Sequence, residues 1–382
     1  MKISGVNISG GIRLDPPVAP TPSGPSKFVV GAFRDESNKG AVYVFNTDGT
    51  GEQKITASDG ASGDLFGHSV AISDTKVVVG SAYDDDAGGS SGSVYVYNTD
   101  GTGEVKITAS DAAADDLFGE EVAMSDTKIV VGAVNNDDAG SNSGSVYVYN
   151  LDGTGEQKII ASDGAASDHF GFSVAISDTK VVLAANGDDD AGGGSGSVYV
   201  YNLDGTGEVK ITAPDGASGD GFGYSVAISS TKIVVAAVND DDNGNNSGSV
   251  YVYNLDGTGQ VKIKASDGAA SDGFGTSVAI TDTHIVVGAQ GDDNSASDSG
   301  SVYVYNLDGT GEVKITASDG AAYDAFGTSV AITDTKIMVG ALNHDTAKGA
   351  AYIYNLDGTG EVKIQASDAA TMDQFGRSVA AN

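Results

Sequence analysis

Short, mostly apolar runs alternate along the chain with clusters of Gly, Ser, Asn and Asp, and no stretch of useful length repeats its apolar residues at helical spacing. That rhythm predicts strands and tight turns. Ser69 to Ala109 shows the unit most clearly, as run A from Ser69 to Ile72, B from Lys76 to Ala82, C from Ser93 to Tyr97 and D from Glu104 to Ala109. Ser73-Asp74-Thr75 is a polar turn between A and B, and Asp100-Gly101 inside the C–D connection is a strong hairpin signal. Val94, Tyr95, Val96 and Tyr97 make both faces of C apolar or aromatic, so the sheet must be covered on both sides.

The unit recurs. Phe-Gly appears at Phe66, Phe118, Phe170, Phe222, Phe274, Phe326 and Phe375, at five intervals of 52 residues and a last one of 49. A period of that length built from short strands reads as a propeller blade. Residues 27–57 supply B, C and D without an A, whereas the chain closes on Phe375 to Ala380, an A with nothing after it. The expected fold is therefore all-β, a seven-bladed β-propeller of four-stranded antiparallel blades over residues 27–382. Pairing of Ser378 to Ala380 with Lys27 to Ala32 would close the ring and leave no open edge. An open solenoid would need capping repeats that the chain lacks. Residues 1–26 hold five of the six prolines. They read as an extended docking arm, with Val6, Ile8 and Ile12 as alternating apolar contacts for strand addition to a partner.

Charge narrows the function. With 53 acidic and 20 basic residues the formal charge is −33, which excludes nucleic-acid binding through phosphates. No apolar run is long enough for a membrane span, and the first 26 residues lack a secretory pattern. Zero cysteines exclude disulfides, thiolate metal sites and a Cys nucleophile. Because successive strands run antiparallel, the B–C and D–A loops share one end of every blade, and they carry 32 acidic residues against Arg34, Lys39 and Lys348. Such a face attracts cations. Asp84, Asp86, Asp188, Asp190, Asp240 and Asp242 are the calcium candidates, set against the plainer reading of a solvated acidic surface. No cofactor is required.

The remaining motifs read as structure. Asp64, Asp116, Asp168, Asp220, Asp272, Asp324 and Asp373, two residues before each Phe, are expected to cap backbone amides, and the Phe side chains to wedge between blades. The strand C tyrosines should pack between blades with their hydroxyls at a wet edge. Gly88 to Gly92 matches a nucleophile-elbow pattern but precedes a strand and has no histidine partner. His68, His169, His284 and His344 fall at unrelated places in the repeat, and no non-repeated cluster of acids and histidine is found near the channel, so an enzyme is not expected. Phe33, Tyr83, Gln290 and Leu342 vary where strand B ends, a place where a specific pocket could be built.

Phe66-Gly67 followed by Ser69-Val70-Ala71, then Val78-Val79-Gly80, then Gly92 to Tyr97 resembles the FG-GAP repeat of integrin-α-like β-propellers, especially the phage and bacterial type. The likeness covers residues 27–382. One departure is that the A–B turn has no room for the aspartate-rich calcium loop of integrin-type repeats. The resemblance implies adhesion or assembly: a non-enzymatic component of a tailed-phage virion (a decoration, tail or fibre protein) docked to virion proteins through residues 1–26, with a host-surface ligand on the acidic loop face. The alternative is a bacterial surface or secreted adhesin that binds calcium or glycans.

Overall fold

The computed structural model describes residues 26–382. Val6, Ile8, Ile12 and the rest of the proposed arm up to residue 25 lie outside the described residues. The remainder forms seven four-stranded antiparallel sheets, each in the order A-B-C-D. In the second blade these are Val70–Ile72, Lys76–Ser81, Ser93–Asn98 and Val105–Ile107. B and C pair along their whole length, from Lys76↔Asn98 to Ser81↔Ser93. D is shorter than the apolar pattern suggests, pairing only from Val94↔Ile107 to Val96↔Val105. Glu104 leaves the ladder because its carboxylate reaches the Ser58 amide and hydroxyl, at 3.1 and 2.5 Å, in the connection from the preceding blade.

The ring closes one residue on from the segment expected. Val379–Ala381 pairs with Lys27–Ala32 through Phe28↔Ala381, Val29↔Ala380 and Val30↔Val379. The first blade is completed by Ala41–Asn46 and Gln53–Ile55. The shorter last interval has a local cause: in the seventh blade the long B–C loop is replaced by a single turn at His344–Ala347, as at Asp35–Asn38 in the first.

The core lies between blades. Val78, Val94 and Val96 of the second blade pack on Phe118, Ile129, Val131, Tyr147 and Tyr149 of the third, which is why both faces of these strands are apolar. Phe118 is fully buried and meets Tyr147 and Tyr149 edge-on at 5.4 and 6.1 Å. Its carbonyl lies where a Cβ on Gly92 would come within 2.0 Å, and Gly92 sits at φ +82°, so only glycine fits before strand C. The aspartates two residues before each Phe cap as expected: Asp116 accepts the Ala113 amide at 2.9 Å, and the six equivalents do likewise. Backbone bonds from Asp115, Leu117 and Phe118 to Gly89, Ser90 and Ser91 bind the D–A loop onto the B–C loop, so the two share one face.

Candidate functional site

Tyr95 on strand C and Lys106 on strand D are direct cross-strand partners, so both side chains leave the same side of the sheet. The lysine stem lies along the tyrosine, its ammonium 5.2 Å from the ring centre, and reaches the loop face. There it meets Asp59 from the incoming D–A loop and Asp84 from the B–C loop, each at 2.9 Å, with Asp86 also in contact. The tyrosine hydroxyl donates to Asp59 at 2.8 Å and Asp84 at 2.9 Å. It is bound to carboxylates and not at a wet edge. Lys210 stands likewise among Asp163, Asp188 and Asp190 at 2.6 to 2.9 Å, and Lys262 among Asp215, Asp240 and Asp242, each at 2.8 Å. Across the closure, Lys54 holds Asp35 and Asp368 at 2.6 and 2.7 Å.

The structure thus brings Asp84 to Asp86, Asp188 to Asp190 and Asp240 to Asp242. Each pair is joined by a third carboxylate, Asp59, Asp163 or Asp215, that spacing alone did not single out. Around Lys210 and Lys262 the three carboxylates offer oxygens within 4.8 Å of one another, a spacing that suits a cation, and a lysine ammonium stands among them. Burial works to raise the Asp215 carboxyl, but hydrogen bonds from Lys262 and Tyr251 outweigh it and hold it below the usual range. Tyr251 is pushed well up by burial and the neighbouring carboxylates. The loop face is also less negative than its loops alone imply, because Lys54, Lys106, Lys158, Lys210, Lys262, Lys314 and Lys363 all reach it from strand D.

A second site lies on the ring axis, where the starts of the A strands and the ends of the B strands surround a cavity of about 470 Å³ at the loop-face end of the channel. Its wall is not sevenfold. The residue after each Phe-Gly faces it as His68, Glu120, Phe172, Tyr224, Thr276, Thr328 or Arg377. Strand A of the third to seventh blades has an irregular register just after its Phe, and in the third blade alone the two residues there that line the cavity are both acidic, Glu120 and Glu121. Phe33, Gln290 and Leu342 line it, and Tyr83 packs on His68 at 6.5 Å, so the variable ends of strand B do belong to a pocket. The expectation that no non-repeated cluster of acids and histidine stands near the channel is corrected: His68, Glu120, Glu121, Arg34 and Arg377 form one. Ring closure assembles it, since Arg377 and His68 lie 309 positions apart in the chain.

Within this cluster His68 is fully engaged. Its Nε2 is 3.4 Å from the Arg377 guanidinium, which donates, and its Nδ1 is 3.3 Å from the Glu120 carbonyl, which accepts. Burial lowers its pKa, so the neutral imidazole offers neither a free lone pair nor a spare proton. Burial pushes the half-buried Glu121 carboxyl up to about 7, only partly opposed by Arg377. Because the folded value exceeds the unfolded one, stability falls as pH rises from about 4.5 through 7, where the folded state gives up a proton it held preferentially. Glu121→Gln should therefore melt above the parent at pH 8, by about 1–2 kcal/mol after discounting for water at the mouth, and level with it near pH 4.5. Melting curves at the two pH values check this.

A family model described as FG-GAP repeat matches residues 50–97, 102–149, 154–201, 206–253, 258–305 and 310–354. Each match runs from the C–D turn of one blade to strand C of the next, so the repeat straddles the blade boundary and contains the Phe wedge with both of its partners. No curated protein sequence matches the chain.

Proposed function

Because the chain belongs to the FG-GAP repeat family, we propose that it is a non-enzymatic, structural and adhesive propeller that works inside a larger assembly, a tailed-phage virion. Residues 1–26 dock it to neighbouring virion proteins, with Val6, Ile8 and Ile12 adding to a partner's sheet. The loop face is turned outward to a ligand on the host surface. The observation that supports this reading is the construction of that face: six of the seven strand D lysines tie a D–A loop to a B–C loop through carboxylates, as Lys262 ties Asp215 to Asp240 and Asp242, and Lys363 ties Asp319 to His344. A loop face locked this way holds a fixed shape, which suits display and recognition more than a moving active site. His68 supports the absence of catalysis, since both of its nitrogens are occupied. Among the described residues no helix is long and apolar enough to cross a membrane.

Deleting residues 1–24 tests the docking half of the reading, because it leaves in place every strand among the described residues. The truncated chain should melt at the parent temperature and fail to join the particle. Normal incorporation would assign no docking role to the arm and favour a free adhesin.

A further inference from the structure

The two arginines among the described residues, Arg34 and Arg377, converge on the channel mouth. Arg34 leaves strand B of the first blade and Arg377 precedes its strand A, and both guanidiniums lie over the Phe33 ring, at 5.3 and 5.9 Å from its centre. Neither reaches a carboxylate within salt-bridge distance among the described residues, whereas every strand D lysine has at least one. Five strand B lysines also lack a carboxylate but bond an Asn side chain, as Lys232 does Asn254 at 2.7 Å, whereas among the described residues the Arg34 side chain has no hydrogen-bond partner and Arg377 has only His68. The same cavity holds two acceptors of the opposite need: Glu120 Oε2 and Gln374 Oε1 are buried and have no donor. Across the ring, Phe172 and Tyr224 form an aromatic wall, their centres 5.5 Å apart and tilted by 53°.

A ligand that answers all three features carries a carboxylate, several hydroxyls and an apolar ring face, and a volume of about 470 Å³ suits one or two sugar rings. We infer that the channel mouth binds a carboxylated pyranose, its carboxylate seated on Arg34 and Arg377, its hydroxyls donating to Glu120 and Gln374, and its C–H face on Phe172 and Tyr224. The surrounding loop face repels free anions, so the guanidiniums select acids that also fill the cavity. Glu121, partly protonated near neutrality, weakens this attraction less than a second full charge would. The inference goes beyond the docking reading, since every residue it names lies outside residues 1–24.

The test titrates the full chain, by calorimetry, with glucuronate and separately with N-acetylneuraminate, the two sources of this chemistry, and with the methyl ester of each acid as its uncharged counterpart. At least one acid should bind about tenfold or more tighter than its uncharged counterpart, and Arg34→Gln, an exposed loop position that leaves the fold intact, should remove most of that margin. Tyr224→Ala should weaken acid and ester alike. Equal affinity for acid and ester, failure of both acids to saturate the protein, or an Arg34→Gln protein that binds as the parent does would each overturn the inference.

Discussion

Deleting residues 375–382 should collapse the protein, leaving it insoluble or lowering its melting temperature by more than about 10 °C. The segment supplies Phe375, fully buried between Tyr43 at 5.4 Å and Phe45 at 6.1 Å, together with the three-residue ladder to Lys27–Ala32. Loss of a buried Phe alone removes about 3–5 kcal/mol, and the freed edge of Lys27–Ala32 loses its partners as well. That approaches the roughly 5–15 kcal/mol total stability of an ordinary domain. The exposed strand would also offer its backbone to other copies. Soluble yield and a thermal melt give the answer. Arg34→Gln in the intact chain, which breaks no strand, should melt within about 1 kcal/mol of the parent.

The second large effect is expected from Lys262→Met. Methionine keeps much of the stem that packs on Tyr251 but removes the ammonium, leaving Asp215, Asp240 and Asp242 facing one another with only the exposed Lys264, 3.3 Å from Asp242, as counter-charge. Asp240 is almost wholly buried, so its charge is not answered by water. The expected loss is about 3 kcal/mol at pH 7, at the lower end for breaking a buried pair because Asp215 and Asp242 are partly exposed. The deficit should shrink towards pH 4, where the unpaired carboxylates take up protons that the ammonium prevents them from taking in the parent. Millimolar calcium should restore part of the variant's melting temperature by occupying the vacated place. Lys232→Met is the control: its ammonium bonds only the Asn254 side chain, at 2.7 Å, and its loss should change stability by less than about 1 kcal/mol. Equal melting of the two variants would remove the lysines from the account of how the loop face is held.

The strands, the blade count and the closure could be read from the chain because they rest on local alternation and on a period that repeats the same residues. The caps at Asp64 and its equivalents could be read for the same reason, since each bonds an amide three residues away. The lysines among the carboxylates escaped notice because Lys106 and Asp84 are 22 positions apart, one on strand D and the other on the B–C loop. Only the cross-strand pairing of Tyr95 with Lys106 shows that the ammonium must leave towards the loops. Counting loop residues alone therefore left the acids uncompensated. The channel cluster was hidden differently. Three of its members, His68, Glu120 and Arg377, belong to a column of single residues, each 52 or 49 positions from the next, that look like scatter when read along the chain. Read down the column that follows Phe-Gly, His68, Glu120, Phe172, Tyr224, Thr276, Thr328 and Arg377 make six different residue types in seven places, and the radial symmetry of a propeller turns that column into one wall.

The claim on which everything else depends is that residues 27–382 form one closed ring, with Lys27–Ala32 and Val379–Ala381 in the same sheet. Amide hydrogen exchange followed blade by blade tests it directly. A closed ring predicts that the amides of Val29 and Val30, which lie between Val379–Ala381 and Ala41–Asn46, exchange as slowly as Val234 and Val235 at the equivalent places in the fifth blade. Rapid exchange at Val29 and Val30, with protection kept in the other six blades, would mean that the ring is open and would contradict the account.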